Sequence, residues 1–364
     1  MNCHSPFFVG EEKQLLNNLM KKVNVQNTDY QMKLVPGFSD EGLLDPQAKK
    51  ELEGSIKQTD TGDFGSEITQ DVSVEDIRAS MGWKKANHQN QHELKIENTE
   101  FNNVKVRIYV QEKLIDTELP TILFIHGGGF FGGSLDNVEF PCRTLADLGQ
   151  VRVISVDYGL APEHPYPQDL LDCYQVLNYV GQHAKQLHVK FITAMGDSAG
   201  GNLTYALSLL DRQMGTNYID KAVALYPVTY QGNSQKLRST FDNPGPIIAQ
   251  ESPAEIETYI NNFNGSQGLI SDWYIKNSDP ESMYISPLNA PEELLKKLPK
   301  TLFMVGEFDP LRLQGEAFYN KVKLAGCDIT YIRYNGMIHA FMDKVGDFPQ
   351  ADDSLKEAIN FICD

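Results

Sequence analysis

The sequence is poor in cysteine and has no long apolar run. Five cysteines are scattered through 364 residues, and none of them forms a Cys-x-x-Cys pair. An odd number of dispersed cysteines predicts neither a disulfide framework nor a zinc site. No apolar stretch approaches the roughly 18 residues that a membrane-spanning helix needs. The first residues, MNCHSPFFVGEEKQ, contain no secretory apolar region, so we expect a soluble cytoplasmic protein without a membrane partner.

Basic residues are also scarce. Lysine and arginine number 32 against 49 aspartates and glutamates, which gives a net charge of -17. Such a charge repels phosphate backbones and anionic lipid surfaces, so we expect no nucleic-acid partner. The composition, with 41% hydrophobic and 22% charged residues, is that of a globular protein with a buried core.

Strand and helix patterns alternate over most of the chain. Residues 121–125, 151–156, 191–195 and 222–226 are compact apolar runs of the kind found in buried parallel strands. Helical patterns at 168–187 and 199–214 separate the later runs. This alternation predicts an α/β fold with a mostly parallel central sheet flanked by helices.

Two regions depart from the alternation. Residues 1–90 are polar and irregular, with little strand character, and residues 229–285 carry many turn signals around short helical pieces. Residues 1–90 have the pattern of an appendage to the core, whereas a stretch outside the sheet as long as 229–285 is typical of a lid or cap. We therefore predict an amino-terminal segment at 1–90, a first core part at 91–228, a cap insertion at 229–285 and a second core part at 286–364.

The sequence Gly196-Asp197-Ser198-Ala199-Gly200 lies between an apolar strand and a helix pattern. A G-x-S-x-G in this context predicts a sharp strand-to-helix turn that exposes a nucleophilic serine. Small residues flank the serine because side chains there would clash. Ser198 is therefore the candidate nucleophile.

A second glycine-rich motif, His126-Gly127-Gly128-Gly129, follows the strand at 121–125. Glycine backbone N–H groups can approach a developing oxyanion without obstruction, and the N–H of Ala199 can join them. Gly128 and Gly129 are the preferred donors, and Gly127 stays in the set because the register is open by one residue.

A nucleophilic serine needs a histidine as base and an acid that orients it. In this fold the chain order is serine, acid, histidine. His339 is the only one of eight histidines that follows Ser198. Asp309 comes at the end of the apolar strand 301–305, where active sites of α/β sheets collect. Glu307 is a minor alternative to Asp309 as the acid.

With these residues in place, the chain resembles the hormone-sensitive-lipase-like family of α/β-hydrolases, a large group of carboxylesterases, over residues 122–341. The markers are HGGGFFGGS at 126–134, DYGLAPEHPYP at 157–167, GDSAGGN at 196–202, YP at 226–227, SP at 286–287, GEFDPLR at 306–312 and GMIHAF at 336–341. The resemblance implies a triad of Ser198, Asp309 and His339. It also implies a cap built from an amino-terminal cap segment, residues 1–90, and an insertion, residues 229–285.

The sequence departs from the family pattern at a few positions near these motifs. The family usually has arginine where this chain has Gly159, which leaves Glu163 of the same motif in need of another charge partner. The acidic residue that usually follows the GEFDPLR motif is absent, since Leu313 and Gln314 stand there. Ala340 stands where glycine usually follows the histidine.

These observations predict a serine carboxylesterase that hydrolyses short-to-medium-chain esters through an acyl-enzyme, with a small-molecule ester as its partner and with no cofactor or metal. An amidase, formamidase or peptidase with the same triad is the alternative, because fold and triad do not fix the leaving group. A non-catalytic small-molecule receptor is a further alternative, disfavoured by the complete triad. A homodimer could form if Ile329–Tyr334 is an edge strand.

Overall fold

The computed structural model describes residues 20–25, 28–37, 41–59, 73–82, 89–243, 245 and 252–364. Within these ranges ten strands form one sheet, in the order β1-β2-β10-β9-β8-β7-β5-β6-β4-β3. The strands are β1 (Met20–Val25), β2 (Thr28–Lys33), β3 (Leu94–Phe101), β4 (Val104–Gln111), β5 (Leu119–Ile125), β6 (Arg152–Asp157), β7 (Val189–Asp197), β8 (Ile219–Leu225), β9 (Lys300–Gly306) and β10 (Ile329–Tyr334).

The sheet is mostly parallel. The strands from β2 to β6 in this order pair in parallel, whereas β1 pairs antiparallel with β2, and β4 pairs antiparallel with both β6 and β3. This arrangement confirms the predicted fold class.

Helices alternate with the strands from β5 onward. The helices are α1 (Pro46–Thr59), α2 (Val74–Ser80), α3 (Glu139–Gly149), α4 (Gln168–Gln182), α5 (Ala199–Met214), α6 (Gln235–Phe241), α7 (Pro253–Gly265), α8 (Glu292–Leu295), α9 (Arg312–Leu324) and α10 (Pro349–Cys363). A short helical turn at Gln267–Leu269 leads into a π-helical turn at Ile270–Ile275. None of the helices in the described ranges is both long and apolar enough to cross a bilayer.

Strand β5 separates two apolar cores. Ile122 and Phe124 belong to one cluster of buried side chains, and Leu123 and Ile125 belong to the other. Successive side chains of a strand point to opposite faces of the sheet, so both faces of β5 are covered. Each buried side chain of this size contributes roughly 1.5–3 kcal/mol to folding. The double burial explains why β5 reads as a continuous apolar run rather than an alternating one.

The expectation of little strand character in residues 1–90 is wrong for β1 and β2. These strands contain polar side chains because they extend the sheet at its end rather than cross its centre. Lys33 of β2 is buried, and its ammonium group forms ion pairs with Asp353 and Glu357 of α10. A paired cation thus replaces the apolar residue that the usual strand pattern requires.

The expected edge at Ile329–Tyr334 is also wrong. Strand β10 lies between β2 and β9, and it pairs in parallel with both. The backbone groups of β10 are therefore hydrogen-bonded within the chain, so two subunits cannot pair through this strand. The amino-terminal hairpin covers an edge that would otherwise be open to association.

Candidate active site

The predicted site residues lie beyond the carboxyl ends of four of the five consecutive parallel strands β10, β9, β8, β7 and β5. Ser198 follows β7, Asp309 comes after β9, His339 comes after β10, and the Gly127–Gly129 loop follows β5. Because carboxyl ends of parallel strands meet at one edge of the sheet, the fold brings these segments together.

Ser198 adopts a strained backbone conformation, with φ 51° and ψ -116°. The turn is tight enough that a Cβ on Gly200 would lie 1.9 Å from the carbonyl oxygen of Ile125. A residue other than glycine at this position would force the backbone apart. The strain at Ser198 is typical of a functional residue held by its surroundings.

A chain of two hydrogen bonds connects the three predicted triad residues. Ser198 Oγ lies 2.9 Å from Nε2 of His339, and Nδ1 of His339 lies 2.8 Å from Oδ2 of Asp309. A carboxylate only accepts hydrogen bonds, so Nδ1 carries the ring proton and Nε2 accepts from the serine hydroxyl. This geometry allows His339 to take the proton of Ser198.

Asp309 is the carboxylate that contacts His339, and Glu307 has a different position. Asp309 is fully buried, and its Oδ1 accepts a hydrogen bond of 2.8 Å from the N–H of Leu311. The carboxylate of Glu307 accepts instead from the N–H groups of Gly42, at 2.8 Å, and Gly336, at 2.9 Å. Glu307 therefore fastens the amino-terminal segment to the loop that precedes His339.

The insertion contacts His339 directly. The N–H of His339 donates a hydrogen bond of 3.0 Å to the hydroxyl of Tyr259 in α7. The rings of Tyr226 and Phe263 approach the imidazole edge-on, with centroid distances of 4.8 and 5.0 Å. His339 is thus positioned by side chains from the core and from the insertion.

The candidate oxyanion donors divide into two groups. The N–H of Gly127 donates to Oδ1 of Asp197 at 2.9 Å, so it is engaged. Within the described chain, the N–H groups of Gly128 and Gly129 donate to no protein group, and Ala199 is the first residue of α5, whose N–H has no partner in the helix. These last three N–H groups are the ones available to a ligand.

Two carboxyl groups, those of Asp197 and Asp343, lie near Ser198. Burial and the neighbouring charge of Asp343 raise the pKa of Asp197 well above its ordinary value. Burial raises the pKa of Asp343 to about 6, although the nearby Lys344 and His339 oppose this change. Two like charges at close range disfavour double ionisation, so the neighbouring charge of Asp343 adds to the effect of burial on the pKa of Asp197.

Ser198 and His339 line a cavity of about 330 Å³. Its walls come from the core, from α2 and the residues that follow it, and from the insertion between β8 and β9. The apolar part of the lining includes Ile77, Met81, Phe131, Phe263, Leu269 and Ile270. Helix α7 also packs against α1. The amino-terminal segment and the insertion thus both line the cavity, and a cap composed of the two stays a prediction.

Glu163 finds its charge partner in the amino-terminal segment. Arg78 of α2 donates two hydrogen bonds to the carboxylate of Glu163, at 2.9 and 2.6 Å. There is little room for a side chain at Gly159, where a Cβ would lie 2.9 Å from Cβ of His164. The hydrogen bonds from Arg78 lower the pKa of Glu163 to about 2. A distant part of the chain therefore replaces the arginine that the motif lacks.

No group of three or more histidine, cysteine, aspartate or glutamate side chains in the described ranges is arranged to hold a metal ion.

His126 is buried and stacks on Tyr158, and burial lowers its pKa to about 4. It is therefore a neutral ring that supports the glycine loop rather than a proton carrier at neutral pH.

Comparison with known proteins decides the family. Residues 122–343 match the model of a family described as having the alpha/beta hydrolase fold. The chain belongs to the α/β-hydrolase family. The match confirms the predicted family, fold and class of hydrolytic enzyme.

Named relatives of this α/β-hydrolase include an esterase of Gibberella moniliformis, 32% identical over 66% of this chain and 73% of the relative. The carboxylesterase NlhH of Mycobacterium tuberculosis is 30% identical over 66% of this chain and 72% of its own. A solved structure of a hyperthermophilic esterase from Pyrobaculum calidifontis superposes with a TM-score of 0.69 at 27% identity, covering 88% of this chain and 98% of that one.

Sequence reasoning missed several residues of the site of this α/β-hydrolase. No motif in the sequence predicts how the segments that contain Tyr259, Asp343 and Arg78 fold around Ser198. The one signal in the sequence was the missing arginine at Gly159, because it indicated that Glu163 needs a cation from elsewhere in the chain. Nothing in the sequence indicated which arginine or lysine supplies it.

Proposed function

We propose that this α/β-hydrolase is a serine carboxylesterase that hydrolyses short-to-medium-chain carboxylic esters. The observation that carries the proposal is the hydrogen-bonded chain from Ser198 through His339 to Asp309, opening into a mostly apolar cavity. A nucleophile, a base and an orienting acid in this geometry are the requirements of acyl transfer.

In the first half of the reaction, Ser198 Oγ attacks the ester carbonyl carbon, and Nε2 of His339 takes the hydroxyl proton. The tetrahedral oxyanion accepts hydrogen bonds from the N–H groups of Gly128, Gly129 and Ala199. The carbon–oxygen bond to the leaving alcohol then breaks, and His339 returns its proton to that alcohol. Asp309 stabilises the charged imidazole during these steps.

In the second half, His339 removes a proton from a water molecule, and the resulting hydroxide attacks the acyl-enzyme. A second oxyanion forms in the same position. When it collapses, the carboxylic acid leaves, and the proton on His339 returns to Ser198 Oγ. No further reactant is required for the atoms to balance.

The cavity supports the preference for short-to-medium chains. Its volume of about 330 Å³ lies at the lower end of ligand pockets, which hold roughly 300–1,000 Å³. Side chains from both cap segments close its walls, so a long acyl chain would need these segments to move apart. The relatives named esterase and carboxylesterase support the reaction class.

The test is hydrolysis of p-nitrophenyl esters of increasing acyl length, with a matched p-nitroanilide beside each ester and with Ser198→Ala as the control. We expect turnover that peaks at short or medium chains, little activity on anilides, and no turnover by the variant. Faster hydrolysis of the anilides would favour an amidase or peptidase. Binding of esters without any turnover would favour a receptor.

A further inference from the structure

Arg78 connects three parts of the molecule that meet at the catalytic cavity. Its Nε donates to the carbonyl oxygen of Phe131 at 2.7 Å, and its Nη2 donates to the carbonyl oxygen of Ala161 at 2.9 Å. Both terminal nitrogens also bind Glu163. Guanidinium is the one side-chain cation with enough fixed donors to make these contacts together.

Phe131 belongs to the loop that carries the available oxyanion donors. Within this loop, the carbonyl of Gly128 accepts hydrogen bonds from the N–H groups of Phe131, at 3.3 Å, and Gly132, at 2.8 Å. The carbonyl of Phe130 accepts from the N–H of Ala161 at 3.0 Å. Arg78 therefore binds both the loop, at Phe131, and the following segment, at Ala161. These two contacts flank the hydrogen bond between Ala161 and Phe130 that connects the loop to that segment.

The neighbours of Arg78 in sequence complete the same contact. Ile77 is 3% exposed and lines the catalytic cavity together with Met81. A Cβ on Gly132 would lie 2.3 Å from the sulfur of Met81, so this side chain packs directly on the loop. The carbonyl of Met81 accepts a hydrogen bond of 3.2 Å from Asn137. Met81 thus packs on the loop beside Arg78, and Ile77 belongs to the same buried cluster as Phe130 and Phe131.

We propose that Arg78 is a positioning residue for the hydrolysis at Ser198, which holds the 127–134 loop so that the N–H groups of Gly128 and Gly129 face the oxyanion. The proposal rests on the proposed function for its kinetic consequence. It makes the amino-terminal segment a part of the catalytic machinery rather than only a cover. Arg78 touches no reacting atom and acts through the backbone of the loop.

Two variants separate this role from a simple tether. Arg78→Lys keeps a positive charge for Glu163 but lacks the fork that reaches both carbonyl groups. Glu163→Gln removes the ion pair and leaves the bonds from Arg78 to Phe131 and Ala161. If Arg78 were only a tether, both substitutions would weaken it. If Arg78 positions the loop, only Arg78→Lys should disturb the loop.

The kinetic experiment measures kcat and KM for a short-chain p-nitrophenyl ester and the inhibition constant of a trifluoromethyl ketone with a matched chain. Loss of a single oxyanion donor lowers turnover by about 10²–10³, so displacement of the loop in Arg78→Lys should lower kcat by roughly tenfold to a hundredfold. KM should change little, and the inhibition constant should rise by the same factor as kcat falls. Glu163→Gln should keep kcat within about threefold.

Hydrogen exchange of the amides at 127–134 gives a readout without substrate. Exchange should rise in Arg78→Lys and stay close to wild type in Glu163→Gln. If Arg78→Lys keeps kcat, the inhibition constant and loop protection while only the melting temperature falls, the positioning role is wrong. A wild type that hydrolyses no ester, combined with loop protection lost in Arg78→Lys, contradicts the proposed function and retains the positioning role.

Discussion

Replacement of Asp169 by asparagine is expected to stabilise the protein above neutral pH. Asp169 lies in the first turn of α4 and is 1% exposed. Its Oδ1 accepts a hydrogen bond of 2.8 Å from the N–H of Leu170. Burial raises the pKa of Asp169 from 3.8 to about 7, although hydrogen bonds from Leu170 and Tyr274 oppose this change.

The sign of the effect follows from the higher pKa in the folded state. The folded protein holds the proton of Asp169 more tightly than the unfolded chain does, so the contribution of Asp169 to stability is fully present below about pH 4 and is lost as the pH rises from about 4 to about 7. The full shift corresponds to roughly 4 kcal/mol, which is lost above pH 7. Asparagine cannot ionise, so Asp169→Asn removes this loss.

The assay is urea unfolding of the wild type and Asp169→Asn at pH 5 and pH 8. The stability of the variant relative to the wild type should be about 2–3 kcal/mol higher at pH 8 than at pH 5. Any penalty for the buried amide is the same at both values and cancels. Asp116→Asn is the control, because the Asp116 side chain is 94% exposed. An equal difference between the two proteins at both pH values would refute the reasoning.

Other substitutions test single contacts of the fold and the site. Tyr259→Phe removes the acceptor for the N–H of His339, so it should lower the free energy of unfolding by about 1–3 kcal/mol, measured in urea. It should also lower kcat on a p-nitrophenyl ester. An unchanged free energy of unfolding together with an unchanged kcat would contradict a role for this contact. Lys33→Met leaves two acidic partners without their cation and should cost about 3–5 kcal/mol, which thermal unfolding would detect. Ala340 has φ 58°, so Ala340→Gly should stabilise the protein by up to about 1 kcal/mol, and a lower melting temperature would count against this.

The sequence predicts a candidate triad because the fold restricts where each residue type can occur. Ser198 needs a tight turn between strand and helix, and only one histidine follows it. Asp309 and Glu307 both follow β9, and the sequence alone favoured Asp309 without excluding Glu307. The structure separates them, because the carboxylate of Glu307 is engaged by two backbone N–H groups.

The register of the oxyanion loop was beyond the sequence for a physical reason. Whether the N–H of Gly127 is available depends on the side chain of Asp197, whose rotamer is set by packing. The strands β1 and β2 were missed because their polar residues conceal the strand pattern. The buried Lys33 is compatible with a strand only through its acidic partners on α10, which lie more than 300 residues away in sequence.

The most direct test of the account is the site of covalent modification by a fluorophosphonate, located by peptide mass spectrometry in the wild type and in His339→Ala. The account predicts a single stoichiometric adduct on Ser198 in the wild type and a strongly reduced rate of labelling in the variant. Labelling at another residue, or labelling of Ser198 at the same rate without His339, would contradict it.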